Sequence, residues 1–85
     1  MADWYVYILL CENDKFYTGI AKDPQQRLIA HQNKKGAKYT RINKPIKILY
    51  VEQCRDRSTA LKREMQIKKM TKSKKINLVK NPYFG

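Results

Sequence analysis

The chain has 85 residues, enough for one small domain with a compact core. Its 19 Lys and Arg residues outnumber the 7 Asp and Glu residues, which gives a formal net charge of +12. This excess excludes an acidic or charge-balanced protein and indicates a polyanionic partner. The longest apolar run, Trp4–Cys11, is far shorter than the roughly 20 residues of a membrane span. No membrane association is expected, because no stretch combines a basic face with a broad aromatic and aliphatic one.

The positive charge is concentrated in the later part of the chain. Residues 1–33 contain 3 basic and 4 acidic side chains, whereas residues 34–85 contain 16 basic and 3 acidic ones. A solvated lysine-rich surface is one explanation of this distribution. Nucleic acid is the favoured one, because phosphate backbones attract clustered Lys and Arg.

The first elements predicted along the chain are two strands. The run Trp4–Cys11 is aromatic, β-branched and continuously apolar, which is typical of a strand buried on both faces. Residues 12–15 favour a turn, and residues 16–20 resume as a strand, so a hairpin is predicted. Cys11 and Cys54 lie in apolar, strand-like segments and are interpreted as buried thiols of a cytoplasmic protein.

The remaining elements alternate between helices and one strand. A helix begins at Asp23 and Pro24 and runs to about Asn33, because Asp accepts at an N-cap and Pro suits the first position. A basic loop over residues 34–44, a strand over residues 46–54, a helix from a Ser58 cap to about Met70 and a last helix from a Thr71 cap follow. The order β-β-α-β-α-α predicts a single α+β domain over residues 1–85, with a small three-stranded, mainly antiparallel sheet flanked by helices.

One acidic residue stands out in the helix that follows Ser58. Glu64 lies on the same arc as the apolar residues Ala60, Leu61, Met65 and Ile67. A carboxylate on a core-facing stripe is costly unless it is paired or binds a metal. An i,i+4 ion pair with the lysine four residues later is the structural alternative.

The first helix contains a second polar pair, Arg27 and His31, which lie one turn apart on the same side. A solvated arginine and a hydrogen-bonded boundary histidine are the structural alternatives. Arginine is suited to bidentate phosphate contact, and histidine titrates near neutral pH, so both also suit phosphate chemistry.

The predicted hairpin carries two tyrosines, Tyr7 and Tyr17, which as isolated strand residues would be packing residues. A two-residue loop at residues 13–14 would place them on opposite faces of the sheet. A shared site therefore requires a loop of odd length or a bulge, for which Gly19 is a possible position.

Taken together, these residues resemble the GIY-YIG nuclease superfamily. The resemblance rests on the segments Tyr5-Val6-Tyr7 and Tyr17-Thr18-Gly19, with Arg27 and His31 in the next helix and Glu64 in a later one. It extends from Trp4 to about Leu78 and is strongest to the small stand-alone bacterial members. Tyr5 and Thr18 depart from the motif at positions that are neither its tyrosines nor its second glycine, and its later asparagine has two candidates here, Asn77 and Asn81.

The resemblance implies a metal-dependent phosphodiesterase with a single Mg²⁺ or Mn²⁺. Glu64 would bind the metal, Tyr7 or Tyr17 would act as general base or position the attacking water, and Arg27 would neutralise the scissile phosphate. His31 would assist as a proton carrier or phosphate contact. A tyrosine base requires help, because the ordinary pKa of tyrosine is about 10.

The primary hypothesis is a cytoplasmic endonuclease, assumed to be monomeric, that hydrolyses DNA or RNA in repair or nucleic-acid processing. The alternatives are a non-catalytic nucleic-acid-binding module with the same fold and a small basic RNA-associated protein, in which Tyr7, Arg27 and Glu64 would not converge. The side chains expected to hold the phosphate backbone are Lys34, Lys35, Lys38, Arg41, Lys68, Lys69, Lys72 and Lys75.

Overall fold

The computed structural model describes residues 3–33 and 38–80, apart from the side chains of residues 39 and 41. It confirms the predicted α+β class, with a three-stranded antiparallel sheet and helices packed against it. The elements are β1 (Trp4–Cys11), β2 (Lys15–Ala21), α1 (Pro24–Gln32), α2 (Lys38–Ile42), β3 (Pro45–Cys54), α3 (Arg57–Lys68) and α4 (Lys72–Lys80).

Strand β1 is the centre of the sheet, whose order is β2-β1-β3. Its neighbours both pair with it in the antiparallel direction, and four consecutive residues, 6–9, are buried. This position explains the unbroken apolar run in the sequence, because a central strand covered on both faces has no solvent-exposed side.

The hairpin between β1 and β2 turns through three residues, Glu12–Asp14. Asn13 and Asp14 have φ angles of 63° and 58°, in the left-handed region that Asn and Asp tolerate better than most residues. The closing pair is Cys11 and Lys15, and Tyr17 consequently lies opposite Leu9. The expected odd-length loop is therefore present, and it places Tyr7 and Tyr17 on the same face of the sheet.

The two faces of the sheet are covered by different helices. On one, the apolar face, Val6 and Ile8 pack with residues of α3 and α4, including Ala60, Ile67 and Leu78. On the other, the site face, Tyr7, Leu9, Cys11 and Ala21 form a smaller cluster, against which Leu28 of α1 and Ile48 of β3 pack. Each face buries one free cysteine: Cys54 on the apolar face and Cys11 on the site face.

Polar caps start the longer helices. The Asp23 carboxylate accepts from the Gln26 backbone N–H at 3.2 Å, as predicted for α1. For α3 the predicted Ser58 cap is wrong, because Asp56 accepts from the Thr59 N–H at 2.7 Å and the helix begins at Arg57. A carboxylate accepts this bond at least as well as a hydroxyl, so Asp56 can start the helix two residues before Ser58. The Thr71 hydroxyl accepts from the N–H of Lys74 and starts α4.

The segment predicted as a basic loop contains the short helix α2. It packs beside α1, and its Thr40 is buried with only 1% of its surface exposed. The prediction missed α2 because five residues are too few to show a helical hydrophobic period. No helix within residues 3–33 and 38–80 is long and apolar enough to cross a membrane.

Candidate active site

A buried hydrogen-bonded chain of three side chains lies under the site face. The Tyr7 hydroxyl is 3.1 Å from His31 Nε2, and His31 Nδ1 is 2.7 Å from the Thr40 hydroxyl oxygen. Tyr7, His31 and Thr40 are each no more than 1% exposed. These two hydrogen bonds therefore link β1, α1 and α2. They also give a partner to each ring nitrogen of His31, which has no solvent contact.

Gly19 makes room for the Tyr7 side chain. The two residues are directly paired across β1 and β2, and a Cβ added at Gly19 would lie 2.6 Å from the Tyr7 hydroxyl oxygen and 2.8 Å from its ring carbon Cζ. Such an approach is too short for non-bonded atoms, so the tyrosine ring crosses the strand over the glycine backbone. The bulge at Gly19, the alternative to an odd-length loop, is not formed, because β1 and β2 pair in continuous register there. Close approach is the reason for glycine at this position.

Tyr17 joins the same site from β2. Its ring centroid is 6.4 Å from that of Tyr7 and 5.0 Å from that of His31. Tyr17 is half-buried, whereas Tyr7 is fully buried, so the two hydroxyls differ in their access to solvent. The three rings form one aromatic cluster in which only Tyr17 has substantial exposure.

Glu64 of α3 provides the negative charge of the site. Its negative charge contributes to the raised pKa of both Tyr7 and Tyr17, after burial of the two phenols. The side chain is 15% exposed, and Oε2 lies 3.5 Å from the Lys68 ammonium, so the i,i+4 ion pair is also present. Lys68 is 53% exposed and its stem is flexible, so this pair can open when another cation competes for the carboxylate.

Arg27 lies on the solvent side of the same group. It is exposed, yet its guanidinium interacts with the Tyr7 hydroxyl and lowers the pKa of Tyr7, Tyr17 and His31. The structure thus brings together all five residues singled out in the sequence: Tyr7, Tyr17, Arg27, His31 and Glu64. A small basic RNA-associated protein, for which no such convergence was expected, does not fit this arrangement.

Burial controls the protonation of the site in the free protein. It raises the pKa of Tyr7 to about 12, and the neighbouring Tyr17 adds to this rise. Burial, followed by the Glu64 charge, also raises the pKa of Tyr17. Burial and the charge of Arg27 lower the pKa of His31. Both phenols and the imidazole are therefore neutral near pH 7. One ring nitrogen of His31 then carries no hydrogen and can accept a proton.

Sequence reasoning missed Thr40 and the spatial role of Gly19. Thr40 gives no local signal, because its contact with His31 depends on the packing of α2 against α1. The sequence also placed Met65 on the core-facing arc of α3, but this residue is 57% exposed. Only one edge of the arc, at Ala60 and Ile67, is fully buried, because α3 packs against the sheet along a narrow stripe.

The described basic residues expected to hold nucleic acid lie on α2, at the end of α3 and on α4. Lys38 is exposed on α2, the helix whose Thr40 contacts His31. Lys68 and Lys69 are exposed at the end of α3, one turn beyond Glu64. Lys72 bonds to the Asp14 carbonyl oxygen and covers the Phe16 ring, and Lys75 lines the cavity beside them. Lys34, Lys35 and the Arg41 side chain lie outside the described residues.

The acidic groups suit a loosely held metal ion. Within residues 3–33 and 38–80, no three His, Cys, Asp or Glu side chains are grouped tightly enough to enclose a metal ion. Glu64 offers a partly exposed carboxylate at the site. This donor set fits Mg²⁺ or Mn²⁺, because such ions bind through one or two carboxylates and complete their shell with water and substrate phosphate oxygens. The later asparagine candidates stay open: Asn77 is exposed on α4, and Asn81 lies outside the described residues.

The chain is similar to several bacterial proteins designated UPF0213. A protein of Neisseria meningitidis is 49% identical over 77 residues, which cover 91% of this chain and 85% of the relative. A protein of Staphylococcus saprophyticus is 45% identical over 75 residues, which cover 88% of this chain and 92% of the relative. The solution NMR structure of a UPF0213 protein from Bacillus halodurans is 34% identical and has a TM-score of 0.59. The matched region covers 95% of this chain and 89% of the Bacillus halodurans chain.

The family assignment rests on a match along most of the chain. The sequence pattern of the GIY-YIG catalytic domain matches residues 3–77, which include every residue of the site described above. Members of this family are nucleases that act on nucleic acid and generally use a divalent metal. The chain belongs to the GIY-YIG catalytic domain family.

Proposed function

We propose that the chain is a divalent-metal-dependent endonuclease that hydrolyses phosphodiester bonds in DNA and, as a second substrate, RNA. One observation carries the proposal: the Tyr7–His31 hydrogen bond, the Arg27 guanidinium and the Glu64 carboxylate meet at one place. Residues 1–85 would form one catalytic domain that works as a monomer in the cytoplasm, in repair or processing of nucleic acid.

The hydrogen-bonded chain supplies a route for the proton of the attacking water. When Nδ1–H of His31 donates to the Thr40 hydroxyl, Nε2 is left to accept from the Tyr7 hydroxyl. As the water oxygen bonds to phosphorus, its proton passes to the Tyr7 oxygen while the Tyr7 proton passes to His31. The bond from phosphorus to the leaving oxygen breaks, and the leaving oxygen takes a proton from solvent. The extra proton on His31 then returns to the Tyr7 oxygen as the Tyr7 hydroxyl proton passes to solvent, which restores the starting state.

This relay removes the difficulty of a tyrosine with a raised pKa. A phenol with a pKa of about 12 holds almost no negative charge at pH 7, so Tyr7 cannot be a preformed base. Because the proton leaves Tyr7 as another arrives, no free phenolate has to form. Arg27 lowers the barrier further, since its positive charge favours negative charge on the Tyr7 oxygen and on the phosphoryl oxygens.

Glu64 is the residue that would hold the metal, together with water and phosphate oxygens. When bound, a divalent cation neutralises charge on the phosphoryl oxygens and lowers the pKa of a nearby water. Lys68 would then leave the carboxylate and become free to contact a phosphate. Tyr17 has the exposure needed to position the attacking water, and the basic residues of α2, α3 and α4 would hold the strand with little base readout.

The test is cleavage of labelled single-stranded, duplex and flap DNA and of RNA, with Mg²⁺ or Mn²⁺ and with a chelator. Glu64→Gln should lower the cleavage rate at least about 100-fold, because it removes the metal-binding charge. Its affinity for uncleaved nucleic acid should be unchanged. Glu12→Gln is the matched control, since it makes the same chemical change on an exposed turn residue and should leave cleavage unchanged.

Metal-dependent cleavage that survives in Glu64→Gln would contradict the assignment of this residue. A second outcome, salt-sensitive binding without cleavage by the natural sequence or by either variant, would identify a nucleic-acid-binding module that has kept the fold. Absence of both cleavage and binding would overturn the proposal as a whole.

A further inference from the structure

A cavity of about 400 Å³ lies beside the candidate active site. Its wall includes residues of β1, β2 and the start of α1: Trp4, Ile20, Ala21, Lys22, Asp23, Gln26 and Arg27. Arg27 belongs to both places, since it lines the cavity and its guanidinium interacts with the Tyr7 hydroxyl. A ligand in this cavity would therefore touch the same arginine as a phosphate at the site.

Trp4 gives the cavity its chemical character. It packs at the margin of the apolar cluster and stays partly exposed at the start of β1. Two cations lie over its ring: the Lys22 ammonium at 5.5 Å and the Arg57 guanidinium at 5.7 Å from the ring centroid. Both side chains are exposed, so their tips can leave the ring without uncovering a buried charge.

An aromatic face surrounded by cations is complementary to a nucleotide. A base offers a flat π surface that stacks on tryptophan, and its flanking phosphates offer negative charge to lysine and arginine. The lining has one acid, Asp23, which already accepts a hydrogen bond from the Gln26 N–H as the cap of α1. The cations Lys22, Arg27 and Arg57 outnumber it, so the cavity mouth favours an anion.

We propose that this cavity, which we call the Trp4 subsite, binds one nucleobase next to the scissile phosphate. The base stacks on the Trp4 ring, Lys22 and Arg57 move from the ring to the neighbouring phosphates, and Arg27 spans the subsite and the reacting phosphate. The exposed Gln26 amide can donate to or accept from a base edge, so the subsite tolerates all four bases. This inference rests on the proposed function, because it places the base relative to the phosphate that Arg27 would hold.

The chain carries its own probe for the experiment, because Trp4 is its single tryptophan. We would titrate the Glu64→Gln variant, which should bind without cutting, with a short single-stranded oligonucleotide and follow tryptophan fluorescence. A second titration uses an oligonucleotide of the same length with abasic sites, which keeps the phosphates and removes the bases. Quenching by the first strand and much weaker quenching by the second is expected, and equal quenching by both would overturn the subsite.

A variant measures how much the stack contributes. Trp4→Leu should weaken binding of the base-containing strand roughly 5- to 100-fold, the scale of one base–aromatic stack. Affinity for the abasic strand should stay the same. Phe16→Leu is the control, because Phe16 is also a partly buried strand aromatic under a lysine, with Lys72 at 5.1 Å, but its cavity lacks Arg27. Equal losses in the two variants would overturn the proposal.

Failure of the subsite and failure of the nuclease have different signatures. If the natural chain cleaves but base-containing and abasic strands quench and bind equally, only the subsite is wrong. If the chain neither cleaves nor binds either strand, the proposed function fails and the subsite fails with it. Circular dichroism would reveal whether Trp4→Leu folds. If it does not fold, the fluorescence titrations of Glu64→Gln with base-containing and abasic strands still test the subsite, because that variant retains Trp4.

Discussion

The two faces of the sheet use burial for different purposes. The apolar face buries aliphatic side chains such as Val6, Ile8 and Ile67, and packing of this kind supplies most of the stability of a small domain. The site face buries Tyr7, His31 and Thr40, whose polar atoms are satisfied by one another. A buried polar group costs free energy whenever its partner is lost. A change on the apolar face that spares α3, the helix that carries Glu64, should leave the site intact, whereas the site face links stability to chemistry.

Truncating the core of the apolar face should have the largest effect on stability. Leu78 of α4 is 2% exposed, and Leu78→Ala should lower the free energy of unfolding by about 2–5 kcal/mol, as for other buried leucines. Cleavage by the fraction that stays folded should be unchanged. Denaturant unfolding and the cleavage rate per folded molecule measure the two quantities.

Tyr7→Phe provides the contrast on the site face. It should lower the free energy of unfolding by only about 1–3 kcal/mol, because it leaves Nε2 of His31 without its partner. Its cleavage rate should fall roughly 10²- to 10⁴-fold, the usual scale for a lost proton-transfer group. The contrast between the faces would be wrong if both variants lost cleavage per folded molecule to the same degree.

Gly19→Ala should lower stability about as much as Tyr7→Phe and should also slow cleavage. The new Cβ would lie 2.6 Å from the Tyr7 hydroxyl oxygen, so the tyrosine must move away from His31. We expect a loss of about 1–3 kcal/mol in the free energy of unfolding, as for other overpacked sites, and a slower cleavage rate.

The neighbouring residue on the same strand is the control. Thr18 is 4% exposed and its hydroxyl oxygen has no hydrogen-bond partner among the described residues. Its partner Ile8 belongs to the apolar cluster, so Thr18 faces away from the site. Thr18→Val removes the unpaired hydroxyl and should be neutral or slightly stabilising. A larger loss of cleavage in Thr18→Val than in Gly19→Ala would contradict the role of Gly19.

A lower pH should have the smallest effect on the free energy of unfolding, and it should act through His31 on the site face. Burial lowers the pKa of His31 below its ordinary value of 6.5. Below pH 6.5 the histidine is therefore protonated in the unfolded chain while it is still neutral in the folded chain. The free energy of unfolding should therefore fall as the pH drops from 6.5 toward the lowered pKa, by at most about 1.4 kcal/mol per pH unit.

His31→Gln tests this dependence directly, because His31 is the single histidine of the chain. The variant keeps hydrogen-bonding atoms and cannot titrate, so urea unfolding at several pH values should show a flatter profile. The Asp56 cap, whose pKa is lowered by its bonds to Thr59, acts in a separate window below its ordinary value of 3.8. An unchanged slope above pH 4 in His31→Gln would contradict the buried, neutral histidine.

Much of the fold could be predicted because its signals are local. The apolar run of β1, the Asp23–Pro24 start of α1 and the turn residues before β2 each act within a few positions. The structure confirms the strands and three of the four helices, although Asp56 and not Ser58 starts α3. Competition between two nearby cap residues depends on the entry angle of the chain, which local patterns do not contain.

The sequence predicted site residues only where their type and their spacing were both distinctive. Arg27 and His31 at one-turn spacing, and Glu64 on an apolar stripe, pointed to a site before any geometry was known. Thr40 could not be found in this way, because its contact with His31 depends on how α2 packs against α1. The sequence analysis named Gly19 as a possible β-bulge, whereas in the structure Gly19 makes room for the Tyr7 ring that crosses it.

The two buried cysteines give each face of the sheet a built-in reporter. Cys54 lies in the apolar cluster and Cys11 in the cluster of the site face, and burial raises the pKa of both thiols. A thiol-specific label reacts with an exposed thiolate, so each cysteine is labelled only when its own face opens. The rates of labelling at the two positions would show whether the site face opens independently of the apolar face.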